Sequence, residues 1–347
     1  MIRKPILFGA IFLAAISVHR VRALEIKPGG LVFSHYEYVA SQHLQNGTTV
    51  QGLNSVEVSR IYLNAEAKYN DSVSAFINLE ANLTSRDNKA NRIFLKHAEL
   101  RLNFHKAAQV SAGLVSTPWR GYEEGIWKHR FAGKILEDIE GLLPASDRGI
   151  RLSGQIPFLA YDAMIANGEG TGGDGDGTGG NETAVHSGGG RFKDYTAKIA
   201  IIPFQTLGEE FKGLKINAQF HKGDKDETTL RNRVYTGLSY ESKFLNMAGN
   251  YYNADNSAPT APSRGEGFSF HTVVAPIEKF WLFARFDKYD PDIHRGEDAR
   301  MRYLWGLGHQ IAPGVRISLD HLYTQQEKRS PTRQDESIFF VHTEAKF

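Results

Sequence analysis

Between residues 117 and 148 lie Arg120, Lys128, Arg130 and Arg148, interspersed with Trp119 and Trp127. Cations held together where water is scarce act strongly on a passing anion, because little solvent screens them there. The chemistry this predicts is electrostatic attraction rather than bond making. The same stretch carries Glu123, Glu124, Glu137, Asp138 and Glu140, so pairing within the segment is the competing expectation for each cation. Little else in the chain points to reaction chemistry. The thirteen histidines are scattered, with no HExxH and no close pair at helical spacing, so no metal site is predicted. The absence of cysteine excludes a covalent c-type haem, and no cofactor is predicted. Serine, histidine and aspartate are all present, but no motif gathers a nucleophile and its base, so the chain does not read as an enzyme.

A second stretch, from Gly168 to Gly190, is rich in glycine and contains Asp174, Asp176 and Glu182. Three carboxylates among glycines suggest calcium, but their spacing does not match an EF-hand loop. A flexible, solvated surface loop is the preferred reading.

The elements that must hold these loops alternate with a period of two. Ile61, Leu63, Ala65 and Ala67 oppose Arg60, Tyr62, Asn64, Glu66 and Lys68. Ala75, Ile77, Leu79, Ala81 and Leu83 oppose Phe76, Asn78, Glu80 and Asn82. Ala98, Leu100, Leu102 and Phe104 oppose His97, Glu99, Arg101 and Asn103. Successive strand side chains point to opposite faces, so each run has one apolar and one polar side. A soluble β-sandwich alternates as well, but aromatic pairs near strand ends (Tyr36 and Tyr38, Tyr251 and Tyr252, Phe280 and Trp281, Tyr303 and Trp305) suit a membrane girdle. A mean hydropathy of −0.38 without a run long enough for a spanning helix fits a barrel around water. The predicted fold is an all-β transmembrane antiparallel β-barrel.

Turn signals place strands near 31–39, 56–68, 73–83, 93–104, 108–115, 149–155, 159–167 and 195–203 in the first half. The second half supplies 213–221, 233–241, 245–253, 267–274, 280–287, 301–310, 315–324 and 337–347. That makes sixteen, or fourteen if 31–39 and 149–155 are not strands; sixteen leaves an aqueous channel. Connections alternate short and long, with eight long loops and both termini on the short-turn side. The loop over 117–148 is too long for a turn. It is expected to fold into the lumen, with a short helix within 126–140, and to carry Arg120, Lys128, Arg130 and Arg148 as an anion-attracting ring. Strand parity adds Arg60, Lys68, Arg101, Arg151 and Arg316 to the inward cations, with Glu66, Glu80, Glu99 and Asp320 among them.

Both ends of the chain agree with export. Phe339, Val341, Thr343, Ala345 and Phe347 form one face of the last segment, and Phe340, His342, Glu344 and Lys346 the other. Arg3 and Lys4 precede an apolar run from Pro5 to Val18, and residues 1–23 read as a secretory signal peptide cleaved after Ala23. Residues 24–347 would form one barrel domain. Four of the 41 Lys and Arg residues lie in the leader, leaving 37 against 39 acidic residues. A charge of about −2 does not suggest nucleic-acid binding, so ion preference must come from local placement.

One order of motifs resembles a known family. A strand ends Gly113-Leu-Val-Ser-Thr117-Pro118-Trp119, a long loop follows, and then come Asp147-Arg148-Gly149-Ile150-Arg151-Leu152 and Tyr161-Asp-Ala-Met-Ile-Ala166-Asn167-Gly168. This is similar to the phosphate-selective porin O and P family of bacterial outer-membrane porins, most clearly over residues 61–168. The resemblance implies a 16-stranded homotrimeric porin in outer-membrane lipid that passes small hydrophilic solutes, including anions such as phosphate. Separately, the terminal aromatic Phe347 on the last strand resembles the C-terminal signature of bacterial outer-membrane proteins, which their assembly machinery recognises. The chain departs from phosphate-specific members in its near-neutral charge and in lacking a ladder of closely spaced arginines. The alternatives are a barrel sheath around a partner, as in a porin–cytochrome electron conduit, and an outer-membrane enzyme.

Overall fold

Strands that are apolar on one side only must pair until the sheet either ends in open edges or closes. Here it closes. The computed structural model describes residues 24–43, 48–82, 92–105, 107–168, 193–205, 208, 211–224, 230–256, 263–296, 298–327 and 335–347. The predicted leader and the Asp174, Asp176 and Glu182 group lie outside the described residues.

The first half contributes β1 (Glu25–His43), β2 (Asn54–Lys68), β3 (Val73–Asn82), β4 (Arg92–His105), β5 (Ala108–Ser116), β6 (Ser146–Ile156), β7 (Leu159–Ala166) and β8 (Asp194–Ile201). The second half contributes β9 (Leu214–Asp224), β10 (Leu230–Glu241), β11 (Leu245–Asp255), β12 (Arg264–Ile277), β13 (Phe280–Asp290), β14 (Arg300–Ala312), β15 (Val315–Gln326) and β16 (Glu336–Lys346). Each pairs antiparallel with the next, and β1 pairs with both β2 and β16, Tyr36 lying opposite Val341. The result is a closed sixteen-stranded barrel; β1 and β6, the two segments on which fourteen strands depended, are present and longer than their sequence signals. A two-residue ladder at Thr49–Val50 extends the end of β1. At the seam the Gly30 N–H donates to the Phe347 carbonyl at 2.8 Å and the Phe347 N–H to the Gly30 carbonyl at 3.1 Å. A Cβ at Gly30 would overlap the Phe347 ring, so glycine is what lets the terminal aromatic lie across the seam.

The two faces are cleanly sorted. On β8, Asp194, Thr196, Lys198 and Ala200 are buried while Tyr195, Ala197, Ile199 and Ile201 are exposed. On β13, Trp281, Phe283, Arg285, Asp287 and Tyr289 point inward, and Phe280, Leu282 and Ala284 outward. The same alternation corrects the girdle expected from adjacent aromatics. Tyr36, Tyr38, Tyr251, Phe280 and Trp305 face out, but Tyr252 and Trp281 are buried on the inner face, because neighbours on a strand cannot share a side. Two register shifts adjust the inner wall. Phe33 pairs with Arg60 and Ser34 with Val58, leaving Ser59 unpaired in a bulge; His97 pairs with Asn78 and Leu95 with Leu79, leaving Lys96 as the extra residue. The second bulge turns Lys96 inward, where it is buried, although simple alternation from His97 would have put it outside.

Between β5 and β6 run two helices, α1 (Pro118–Trp127) and α2 (Leu136–Ile139). α1 begins where Thr117 is still extended and Pro118 fits the first helical position. It stops because Lys128 takes a left-handed conformation, φ 54°, with its N–H donating to the Glu124 carbonyl at 3.0 Å. The single helix expected within 126–140 is therefore replaced by one that starts earlier and one short turn.

Candidate functional site: the charged segment against the inner wall

Residues 117–145 leave β5 and make their contacts with the buried faces of distant strands. The Trp119 ring meets Tyr235 of β10 at 5.3 Å and Tyr252 of β11 at 6.2 Å. Trp127 meets His271 of β12 at 5.3 Å and Phe283 of β13 at 5.9 Å, and its Nε1 donates to the Gly133 carbonyl at 2.9 Å. His129 lies 5.4 Å from Trp281, and Phe131 lies 6.4 Å from Phe33 of β1. Both tryptophans are completely buried. These apolar contacts fix the segment's position, and its charges follow.

Arg120 and Arg130 converge on the same two carboxylates. Arg120 lies 3.0 Å from Glu124 and 3.1 Å from Asp138; Arg130 lies 2.9 and 2.6 Å from them. Burial pushes the Glu124 carboxyl up, but the two guanidinium groups more than offset it and bring it to about 2. Burial is likewise outweighed at Asp138, which is held well below the usual carboxylate range by Arg120 and Arg130. On the facing wall Glu80 of β3 accepts from Arg60 of β2 at 2.6 Å and from Lys96 of β4 at 2.9 Å. Arg60 and Lys96 also lie 3.3 and 3.4 Å from the Tyr62 hydroxyl. Lys134 completes the cluster within the field of Arg60, Arg130 and Arg120. Five cations thus face three carboxylates, a local surplus of about two positive charges in a chain that is otherwise nearly neutral.

The other side of the segment carries acid. Glu123 is fully buried; its Oε2 accepts from Trp119 Nε1 at 3.1 Å and from the Tyr252 hydroxyl, and its Oε1 lies 3.7 Å from Arg285. Glu137 is also fully buried, yet among the described residues neither of its carboxylate oxygens has a hydrogen-bond partner. Burial, reinforced by Glu123, raises its pKa well above the ordinary value, and only Arg120 among its strongest neighbours opposes the shift. A carboxyl raised in this way favours the folded state fully below its ordinary pKa and progressively less as pH rises toward the folded value. Glu137→Gln should therefore flatten that decline in thermal unfolding between mildly acidic and neutral pH. Parallel pH profiles for the variant and the wild type would contradict the assignment.

No family model and no curated protein matches the chain. Solved structures do. An anion-selective porin from Comamonas acidovorans superposes with a TM-score of 0.67 at 12% identity, over 93% of this chain and 100% of that one. OmpF of Salmonella typhi, solved with daunomycin, gives 0.65 at 9% identity over 93% and 97%. The trimer form of OmpT, an outer-membrane protein of Vibrio cholerae, gives 0.62 at 10% identity over 94% and 100%. The fold is a porin fold.

Within this porin barrel the expected ring residues separate. Arg120 and Arg130 stay in the cluster but are paired, as the competing expectation had it. Lys128 leaves it, reaching Glu241 of β10 at 2.9 Å. Arg148 is exposed and shares its parity on β6 with Ile150 and Leu152, so it belongs to the outer face, not the ring. Arg60 joins the cluster from the wall. Arg101 and Arg151 face inward but lie elsewhere: Arg101 pairs with Glu99 at 2.6 Å and lies 3.6 Å from Glu66, while Arg151 holds Asp162 and donates to Ser116 Oγ at 2.8 Å. Arg316 pairs with Glu344 at 2.6 Å, and Lys68 with Asp71 at 3.1 Å beside a short turn. Glu140 takes Arg300 and Arg302, both at 2.8 Å, tying the end of the segment to β14.

Sequence reasoning missed Lys96, hidden by the bulge, and the roles of Lys134 and Arg285. One inner-wall group brings Ser318, Asp320 and His342 together. Ser318 donates to Asp320 at 2.7 Å and His342 Nδ1 lies 2.9 Å from the same carboxylate, so the aspartate is the hub and the serine engages it rather than the imidazole.

Proposed function

We propose that the chain is an outer-membrane porin, a water-filled channel for passive diffusion of small hydrophilic solutes, with a preference for small anions such as phosphate. The observation that carries this reading is the pairing of an apolar outside with a charged inside. Leu63, Ile150, Phe220, Leu238, Leu282 and Leu319, on strands spread round the barrel, are each at least half exposed on the outer face. An apolar belt on that scale is stable only against lipid, whereas the inner face offers charged and amide groups to water. Residues 117–145 lie across part of the interior and narrow it, placing the surplus positive charge of the cluster along the solute path. The anion-selective porin among the fold's neighbours and the motif order between Gly113 and Gly168 support the anion preference. The trimeric neighbour supports a homotrimer. Export through the leader at 1–23 and recognition of Phe347 by the assembly machinery belong to the same reading.

Swelling of proteoliposomes in isotonic solutes tests the sieve. Small sugars should enter within seconds, and entry should slow steeply with solute mass. Liposomes containing correctly folded barrels that swell no faster than empty ones would overturn the proposal.

A further inference from the structure

The cations of the central cluster are not equivalent. Arg120 and Arg130 share Glu124 and Asp138, and Arg60 and Lys96 share Glu80. Lys134, on the segment between α1 and α2, is different: among the described residues its ammonium has neither an ion-pair partner nor a hydrogen bond. Its backbone is held firmly. Gly133, the residue before it, accepts from the Trp127 indole at 2.9 Å, and Ile135, the residue after it, is completely buried. The side chain itself is only half-buried. A fixed stem with a partly wet, unneutralised head is what an ion-selecting group requires, since a paired cation has already given most of its field to its partner.

Resting on the porin reading, we propose that Lys134 is a specificity-determining residue of the channel: among the cations of residues 117–145, it is the one whose charge remains available to a permeating small anion. The charged groups that face it are Arg60 from β2, Arg120 from α1, Arg130 from its own segment and Asp138 from α2, three cations against one carboxylate. Burial first, then Arg60, bring its ammonium down to about 8. Its charge is therefore mostly present at neutral pH and largely lost by about pH 9.5, unlike that of any arginine in the cluster. The sign for folding is the reverse. A lysine with a depressed folded pKa costs stability while it is charged, so removing the charge at pH 7 should not lower the unfolding temperature.

The test is the reversal potential of the reconstituted full chain in a tenfold potassium chloride gradient, at pH 7 and pH 9.5, for wild type, Lys134→Gln and Lys134→Arg. The wild type should prefer chloride at pH 7 and lose at least half of that preference by pH 9.5. Lys134→Gln should show the reduced preference at both pH values with an unfolding temperature no lower than wild type. Lys134→Arg should restore the preference and remove its pH dependence. A folded, conducting Lys134→Gln channel with the wild-type reversal potential and pH response overturns this inference alone. Folded barrels that do not conduct overturn it together with the porin reading.

Discussion

Replacing Trp127 with alanine should leave a folded barrel whose current is larger and noisier than that of the wild type. The indole is completely buried between His271 and Phe283, with the Arg285 guanidinium 5.6 Å from the ring. Its Nε1 bond to the Gly133 carbonyl folds the segment after α1 back on itself. Truncating a buried tryptophan removes roughly 3–5 kcal/mol through lost transfer energy and the cavity left behind. That loss falls on the anchorage of residues 117–145, because the wall is held by an unbroken ladder of strand pairs that does not include Trp127. A segment released on this scale samples positions across the lumen, and the bilayer trace should show steps between them. A quiet trace at wild-type conductance would show that the segment is held by something other than this contact.

Arg285→Ala should be strongly destabilising. The guanidinium lies 2.9 Å from Asp287 and 3.7 Å from Glu123, and all three side chains are almost completely buried. Removing one member of a buried ion pair leaves uncompensated charge, at a cost of about 3–5 kcal/mol. Replacing Arg285 by methionine together with Asp287 by asparagine should be milder than Arg285→Ala, since most of the penalty is the stranded Asp287 carboxylate. Urea unfolding in detergent measures both. A destabilisation under about 1 kcal/mol for Arg285→Ala would mean that water reaches the pair in the folded state.

Much of the architecture was legible in the sequence because a strand's period is short and its consequence binary. Phe339 to Phe347 sorts into two faces by inspection, and the structure keeps that sorting, with Phe339 exposed and His342 buried. Turn signals placed a strand overlapping each of the sixteen observed, including the two that flank the long connection after β5. Where the period breaks, the sequence gives no warning. The bulges at Ser59 and Lys96 insert a residue without any glycine or proline to mark them, so Lys96 was invisible as an inward cation. Arg148 shows the opposite failure: it belonged to a loop of cations in the sequence, but β6 begins two residues before it, and strand parity sends it outward. The helix expected within 126–140 begins instead at Pro118, whose ring suits the first helical position after the extended Thr117. Charge pairing was the least legible feature. Arg120 and Arg130 finding Glu124 and Asp138, and Lys134 having no ion pair among the described residues, depend on α1 and α2 being brought together by tryptophans that reach across to β10 and β12.

Single-channel recording of the purified chain, refolded and inserted into a planar bilayer, tests the central claim most directly. An open porin predicts discrete, long-lived, ohmic steps in potassium chloride, a reversal potential on the anion side of a salt gradient, and partial block when phosphate is added. Correctly folded barrels, verified by their heat-dependent gel mobility, that insert and carry no current would contradict it.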